Sequence, residues 1–257
     1  MEIEKKIKKG VCFLLLNRPS VFNSFNKEMA LSLQKELDEC ETDHAIRAIV
    51  IEGKGKAFCA GQDLVEATDP NGPDMNSIVR EHYNPIIKKI RTIEKPIIAA
   101  VNGVAAGAGA NIALACDIVI AKKSASFIQA FSKIGLIPDS GGTFFLPRLI
   151  GAQKASALMI TGDKVFAEEA EKINMIYKAI EDTDFEAYIE QFAEKISCMP
   201  TKGIGLTKRA LNESLTNNLV SQLNLEEKLQ TEAGETEDFE EGVNAFKEKR
   251  QANFKGK

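Results

Sequence analysis

The chain has 257 residues, of which 44% are hydrophobic and 27% charged, and its formal net charge is −4. This length buries a full core within a single domain, and the balance of residues is that of an ordinary globular protein. The acidic total argues against a nucleic-acid binder that relies on phosphate neutralisation, and no apolar run reaches the length of a membrane span. Met1–Lys9 is charged and lacks the apolar stretch of a signal peptide, so the expected compartment is the cytoplasm. Cys12, Cys40, Cys59, Cys116 and Cys198 are scattered, odd in number and without a CxxC pair, so neither a disulfide framework nor a metal site is expected. Cys12 and Cys116 adjoin apolar runs and read as small core residues. His44 and His82 give a histidine metal site nothing to build on.

Val11–Leu16 reads as the first strand, stopped by Asn17-Arg18-Pro19. Asn26 caps a helix through about Cys40 that carries Met29, Leu33 and Leu37 on one face. Ala45–Ile51 is a buried strand, followed by the polar loop Asp69–Pro73 and a helix to about Ile93. Pro96–Val101 is a second buried strand. The small-residue run Gly103–Asn111 then opens a helix through Cys116, and Asp117–Ala121 is a strand again. Strands alternating with helices predict an α/β chain with crossover connections. Beyond Phe166 the expected helices are Ala167–Lys172, Phe185–Ser197, Pro200–Glu213, Leu219–Glu232 and Phe239–Phe254. A helical last third with little sheet of its own must pack on the body or on another subunit.

Three segments could carry chemistry. Gly135–Gly142 (GLIPDSGG) sets Asp139 in an apolar loop, where it either caps a helix beginning near Thr143 or serves as a functional carboxylate. Phe58–Leu64 (FCAGQDL) is a turn flanked by small side chains and exposes backbone N–H groups. Gly107-Ala108-Gly109 stands at a helix N-terminus, where free N–H groups and the dipole favour negative charge. Both turns could instead serve close packing alone. A dinucleotide fingerprint fails because Ile112 stands where the third glycine belongs and no acid lies about 20 residues on. Gly53-Lys54-Gly55-Lys56 lacks the spacing of a phosphate loop, and Cys59 has no nearby histidine to make it a nucleophile.

In order and spacing, these three motifs resemble the crotonase (enoyl-CoA hydratase/isomerase) superfamily, with similarity from about Ile3 to Lys257. The resemblance implies an α/β crotonase (ClpP-like) spiral of ββα units, with a core domain over 1–195. It also implies a helical C-terminal region over 196–257 that mediates trimerisation into a homotrimer or a hexamer of paired trimers. The substrate it implies is an acyl-CoA thioester, with no separate cofactor, metal, nucleic acid or membrane. Carried over by position, the Gln62 and Ala108 amides form an oxyanion hole, beside Ala60, Asp63, Leu64 and Gly109. Hydratases of the family carry two glutamates, and the matching positions here hold Asn111 and Phe131, neither of which shuttles protons. The family's other acid position holds Asp139, where its isomerases and some hydrolases and dehalogenases place their working carboxylate. Phe127–Lys133, Ala108–Asn111 and Gly203–Leu206 look like the branch that rearranges the ring epoxide of phenylacetyl-CoA, which itself resembles 3-enoyl/2-enoyl-CoA isomerases. Phe127, Phe131 and Phe144 either line an aromatic acyl pocket or belong to the core. Phe246, Lys249 and Arg250 either lie near CoA by the same resemblance, that of a neighbouring subunit included, or form an ordinary solvated basic helix end. Asp139 as a nucleophile, a non-catalytic acyl-CoA binder and an RNA-binding branch remain as alternatives.

Overall fold

Three apolar strands of this chain, Ala48–Gly53, Ile97–Val101 and Ile118–Lys122, are each followed by a three-residue strand that joins a separate sheet. The computed structural model describes residues 1–257. Strands β1 (Ile3–Lys8), β2 (Val11–Leu16), β3 (Ala48–Gly53), β5 (Ile97–Val101), β7 (Ile118–Lys122) and β10 (Lys178–Ile180) form a six-stranded sheet in the order β1-β2-β3-β5-β7-β10. Only the β1–β2 pair is antiparallel. Strands β4 (Ala57–Cys59), β6 (Val104–Ala106), β8 (Ser126–Ile128) and β9 (Lys164–Phe166) form the second sheet, with β4, β6 and β8 parallel. The step from β3 to β4 recurs from β5 to β6 and from β7 to β8. This repetition is the α/β crotonase architecture.

Helices α1 (Lys27–Thr42), α4 (Asn84–Thr92) and α5 (Ala108–Ala115) cover the inner face of the large sheet. The Asn26 side chain accepts from the Met29 N–H, and Met29, Leu33, Leu37 and Cys40 bury one stripe of α1. Three shorter helical pieces bridge β4 to α4: α2 (Leu64–Ala67), α3 (Met75–Ser77) and a π-helix over Ile78–Tyr83. Helices α6 (Gly142–Ile150) and α7 (Ala152–Thr161) lie between β8 and β9, and α8 (Ala167–Lys172) follows β9. Helix α9 (Phe185–Ser197) covers the back of the large sheet, packing Phe185, Ile189 and Ala193 on Val11, Ala48, Val50, Ile98, Ala100 and Ile120. Helices α10 (Thr201–Ser214), α11 (Leu219–Gly234) and α12 (Glu237–Glu248) complete the chain. The buried Lys208 ties α10 to the body, donating to Asp117 Oδ2 at 2.7 Å and to the Lys95 carbonyl at 3.1 Å. No helix is long and apolar enough to cross a membrane.

Four expectations change. Val104–Ala106 is a strand, not the start of a helix, because its backbone completes the ladder between β4 and β8. Its approach needs Gly103, where any Cβ would collide with the Lys56 carbonyl. The charged start of the chain forms β1, with Ile3 buried and the following lysines partly or fully exposed. The three-residue β10 adds an edge strand that its length concealed. The last helix stops at Glu248, where Lys249 adopts φ +53°, instead of running to Phe254. The tail then folds back: the Asp238 carboxylate accepts from the Lys255 and Gly256 N–H groups at 2.6 and 2.8 Å, and Arg47 donates to the Phe254 carbonyl at 2.7 Å.

Candidate active site

Strand β4 ends at Cys59 and delivers the chain into a turn that only a glycine permits. Gly61 has φ +97°, and a Cβ there would lie 3.0 Å from the Ala106 carbonyl and 3.5 Å from the Ala108 nitrogen. The Gln62 turn therefore rests against the N-terminus of α5. Its backbone is pinned from behind, since Phe25 N–H donates to the Gly61 carbonyl at 2.7 Å and Asp63 N–H to the Phe25 carbonyl at 2.8 Å. Ala108 opens α5, so its N–H has no acceptor within the helix. Neither that N–H nor the Gln62 N–H is used in the hydrogen bonds of the turns and caps. Gly109 packs directly on Cys59, where a Cβ would enter the space of the Cys59 carbonyl and sulfur. Burial pushes the Cys59 thiol up to about 12, so this cysteine is an inert packing residue and not a nucleophile.

The Gln62 side chain is also held. Its Oε1 accepts from the Tyr83 hydroxyl at 2.7 Å, and Tyr83 is delivered by the π-helix that precedes α4. Burial, reinforced by the negative charges of neighbours that include Asp139, holds the Tyr83 phenol well above its ordinary range, so it stays a donor. Asp63 is occupied structurally: it caps α2 by accepting from Val65 N–H at 3.0 Å and pairs with Arg18 Nη2 at 2.9 Å. Ala60 is exposed, with its N–H on the Phe22 carbonyl at 3.0 Å, and Leu64 is exposed beside it.

The carboxylate half follows β8 and the 3₁₀ turn Ala130–Ile134. Ser140 (φ +49°) and Gly141 (φ +74°) reverse the chain immediately before α6. Asp139 does not cap that helix with its side chain, because Gly141 holds the cap position and no side-chain cap bond forms. Its carboxylate instead accepts from Ser140 Oγ at 2.9 Å. Burial raises its pKa above the ordinary aspartate value, partly opposed by that hydroxyl. The Asp139 carbonyl is doubly held, by Gly142 N–H at 2.8 Å and Asn111 Nδ2 at 2.9 Å. Asn111 lies one turn along α5 from Ala108, so one helix offers the free amide and anchors the loop of Asp139.

The Phe131 ring stands beside Gly107, 3.8 Å from where a Cβ would sit, and so borders the amide turn. Phe127 is a core residue, while Phe144 packs edge-on to Phe145 at 5.1 Å and under Arg148 at 3.8 Å. Phe246 is 85% exposed on α12 and joins Phe239, Val243 and Phe254 around a cavity of about 560 Å³ that includes none of the residues above. Lys249 terminates that helix, and Arg250 is engaged by Glu241 and Glu248. No three His, Cys, Asp or Glu side chains are grouped to hold a metal. Two residues at the site escaped the sequence reading. Tyr83 sits in a polar helical stretch with no distinguishing pattern, and Gln129 stood inside a motif without a role of its own. Only their contacts across the fold single them out.

An enoyl-CoA hydratase/isomerase family model matches residues 6–257. The 1,2-epoxyphenylacetyl-CoA isomerase of Escherichia coli K12 is 46% identical over 254 residues, which is 98% of this chain and 97% of that protein. The trans-2-decenoyl-[acyl-carrier-protein] isomerase of Streptococcus mutans is 36% identical across 100% of this chain and 98% of its own length. Among solved structures, an enoyl-CoA hydratase from Bacillus anthracis superposes with a TM-score of 0.93 at 32% identity, covering 100% of both chains.

Proposed function

Since this chain belongs to the enoyl-CoA hydratase/isomerase family, we propose that it is an acyl-CoA isomerase with Asp139 as its single acid/base. One observation carries the reading: the chain offers one half-buried carboxylate in the loop anchored to α5, while Asn111 and Phe131 fill the positions that a two-acid hydratase would need. Water addition requires one group to activate water and another to deliver a proton. A double-bond shift requires only one group that takes a proton and returns it.

In this mechanism the thioester oxygen of a 3-enoyl-CoA sits between the Gln62 and Ala108 N–H groups. Each such donor lowers the barrier to the enolate by about 3–4 kcal/mol. Asp139 takes the C2 proton, the electron pair spreads from C2 to the oxygen and C4, and Asp139 returns the proton to C4 to leave the 2-enoyl ester. Its raised pKa brings the base nearer to the acidity of the carbon it must deprotonate. A ring epoxide of phenylacetyl-CoA, opened toward the oxepin, is the second substrate class. It is favoured by the E. coli relative and by the aromatic wall that Phe131 supplies. CoA arrives as part of the substrate, and no resident cofactor is invoked. The exposed Phe239 and Phe246 of the C-terminal helices fit assembly into a trimer or a pair of trimers in the cytoplasm.

The test is turnover of 3-hexenoyl-CoA, followed by absorbance of the 2-enoyl product, for wild type and Asp139→Asn in parallel. Conversion by the wild type that is lost on substitution supports the one-carboxylate isomerase. A folded, CoA-binding wild type that releases free CoA without isomerisation would instead make Asp139 the nucleophile of a hydrolase.

A further inference from the structure

Asn111 is fully buried and Gln129 is 4% exposed, yet the two amides form a directed chain that ends on the reactive loop. The direction follows from chemistry. The Asp139 carbonyl can only accept, so Asn111 must point Nδ2 at it, at 2.9 Å. Asn111 Oδ1 then needs a donor and takes Gln129 Nε2 at 2.8 Å. Gln129 Oε1 is left buried without a partner in the protein, although burying an acceptor unsatisfied is costly. Gly142 is part of the arrangement, since any Cβ there would occupy the space of the Asn111 amide. The loop that these amides hold carries two consecutive left-handed residues, Ser140 and Gly141. A serine adopts such a backbone at an energetic penalty and keeps it only where its surroundings enforce it.

We propose that Gln129 and Asn111 are a positioning pair that sets the Asp139 carboxylate for proton transfer. An ionised carboxylate at position 111 could not donate to the Asp139 carbonyl, so holding the loop in this way and carrying a second carboxylate at position 111 are mutually exclusive. The pair touches the loop backbone and not the reacting carbons. The ionisable groups flanking this chain of amides include Asp139 itself, Tyr83 from the π-helix, whose phenol senses the Asp139 charge, Lys133, exposed on the turn after Gln129, and Asp163 and Lys164 at the start of β9, which pairs with β8 beside Gln129. The proposal rests on Asp139 being the acid/base of an isomerase.

Gln129→Glu distinguishes a positioning role from mere packing. When ionised, the introduced carboxylate offers only acceptors, so Asn111 must reverse its amide and face one carbonyl oxygen with another. When protonated, the introduced carboxyl can donate through its hydroxyl and restore the chain. The expected result is a kcat lowered about 10- to 100-fold at pH 8 with KM for 3-hexenoyl-CoA nearly unchanged, and a variant-to-wild-type ratio that climbs as pH falls. A ratio flat with pH, or a loss carried by KM, would overturn the proposal. The near-isosteric Gln129→Met, which cannot donate at any pH, should show the kcat loss without the pH-dependent rescue, and a wild-type kcat would overturn the proposal even if the glutamate variant failed to fold. A ¹³C-NMR titration of the Asp139 carboxyl needs no turnover. In Gln129→Met its midpoint should move down toward ordinary carboxylates as the loop loosens and water enters, and an unmoved midpoint counts against positioning. This reading separates failure of the positioning pair from failure of the isomerase assignment, which would appear as an inactive wild type.

Discussion

The two halves of the site are made of different material. The half proposed to polarise the thioester is main chain: two N–H groups whose position depends on where Gly61, Gly107 and Gly109 let backbones meet. The half proposed to move the proton is one side chain, Asp139, held in an improbable loop by Ser140, Gly142 and the Asn111–Gln129 amides. A main-chain half has no functional group to remove by substitution and fails only when the backbones are forced apart. A side-chain half can be abolished by exchanging one oxygen for nitrogen.

The sharpest break of this comparison is Asp139→Asn, for which kcat should fall about 10²–10⁴-fold while the variant still folds and binds acyl-CoA. The wild-type acid limb of kcat/KM belongs to the same group. Asp139 must be ionised to act as base, so activity is lost as pH falls through its folded pKa, and the midpoint should lie above that of an ordinary aspartate. A midpoint at or below the ordinary value would place the base elsewhere. The matching attack on the main-chain half is Gly109→Ala, whose methyl must push α5 away from Cys59. Steady-state kinetics should show a loss of at least about 10²–10³-fold in kcat/KM, as for removal of one oxyanion donor, although the Asp139 carboxylate itself is retained.

A second carboxylate sharpens the contrast by having a raised pKa without a site. Glu52 lies on the back face of the large sheet toward α9, and burial, with Glu186 nearby, pushes it up to about 7. Its folded pKa exceeds the unfolded one, so the native state holds the proton more tightly, and stability declines as pH rises from about 4.5 toward 7. Glu52→Gln should therefore stabilise the fold by about 3 kcal/mol at pH 8 in urea melts, with the gain fading toward pH 5 and turnover unchanged. The smallest effect expected is that of Tyr83→Phe. Losing the hydrogen bond to Gln62 Oε1 should lower kcat/KM by roughly 5-fold, the equivalent of about 1 kcal/mol, with KM nearly constant.

Much of the scaffold was legible because burial writes itself into local pattern. The Asn26 cap, the apolar stripe of α1 and the helices Ala167–Lys172 and Phe185–Ser197 follow from side chains three and four apart. The pieces that were misread lack such a pattern. Val104–Ala106 is three small residues whose state depends on neighbours distant in sequence, β10 is too short for any periodicity, and the tail after Glu248 is drawn back by Arg47 and Asp238. At the site, Asp139 stood out as a charge among apolar residues and glycines, and the two turns as concentrations of small residues. Asp63, by contrast, carried no local sign that its carboxylate is taken up by a helix cap and Arg18.

The sequence by itself determined the alternation of strand and helix, the family, the absence of the second acid at Asn111 and Phe131, and the one carboxylate in a glycine-rich loop. Each of these is a property of residue identity and short spacing. The tertiary structure alone decided that Gly61 meets the start of α5, that Tyr83 holds the Gln62 side chain, and that Gln129 reaches Asp139 through Asn111. Those are hydrogen bonds and close contacts between groups far apart along the chain. Their energy depends on distances of a few ångströms that only the packed sheets and helices can set.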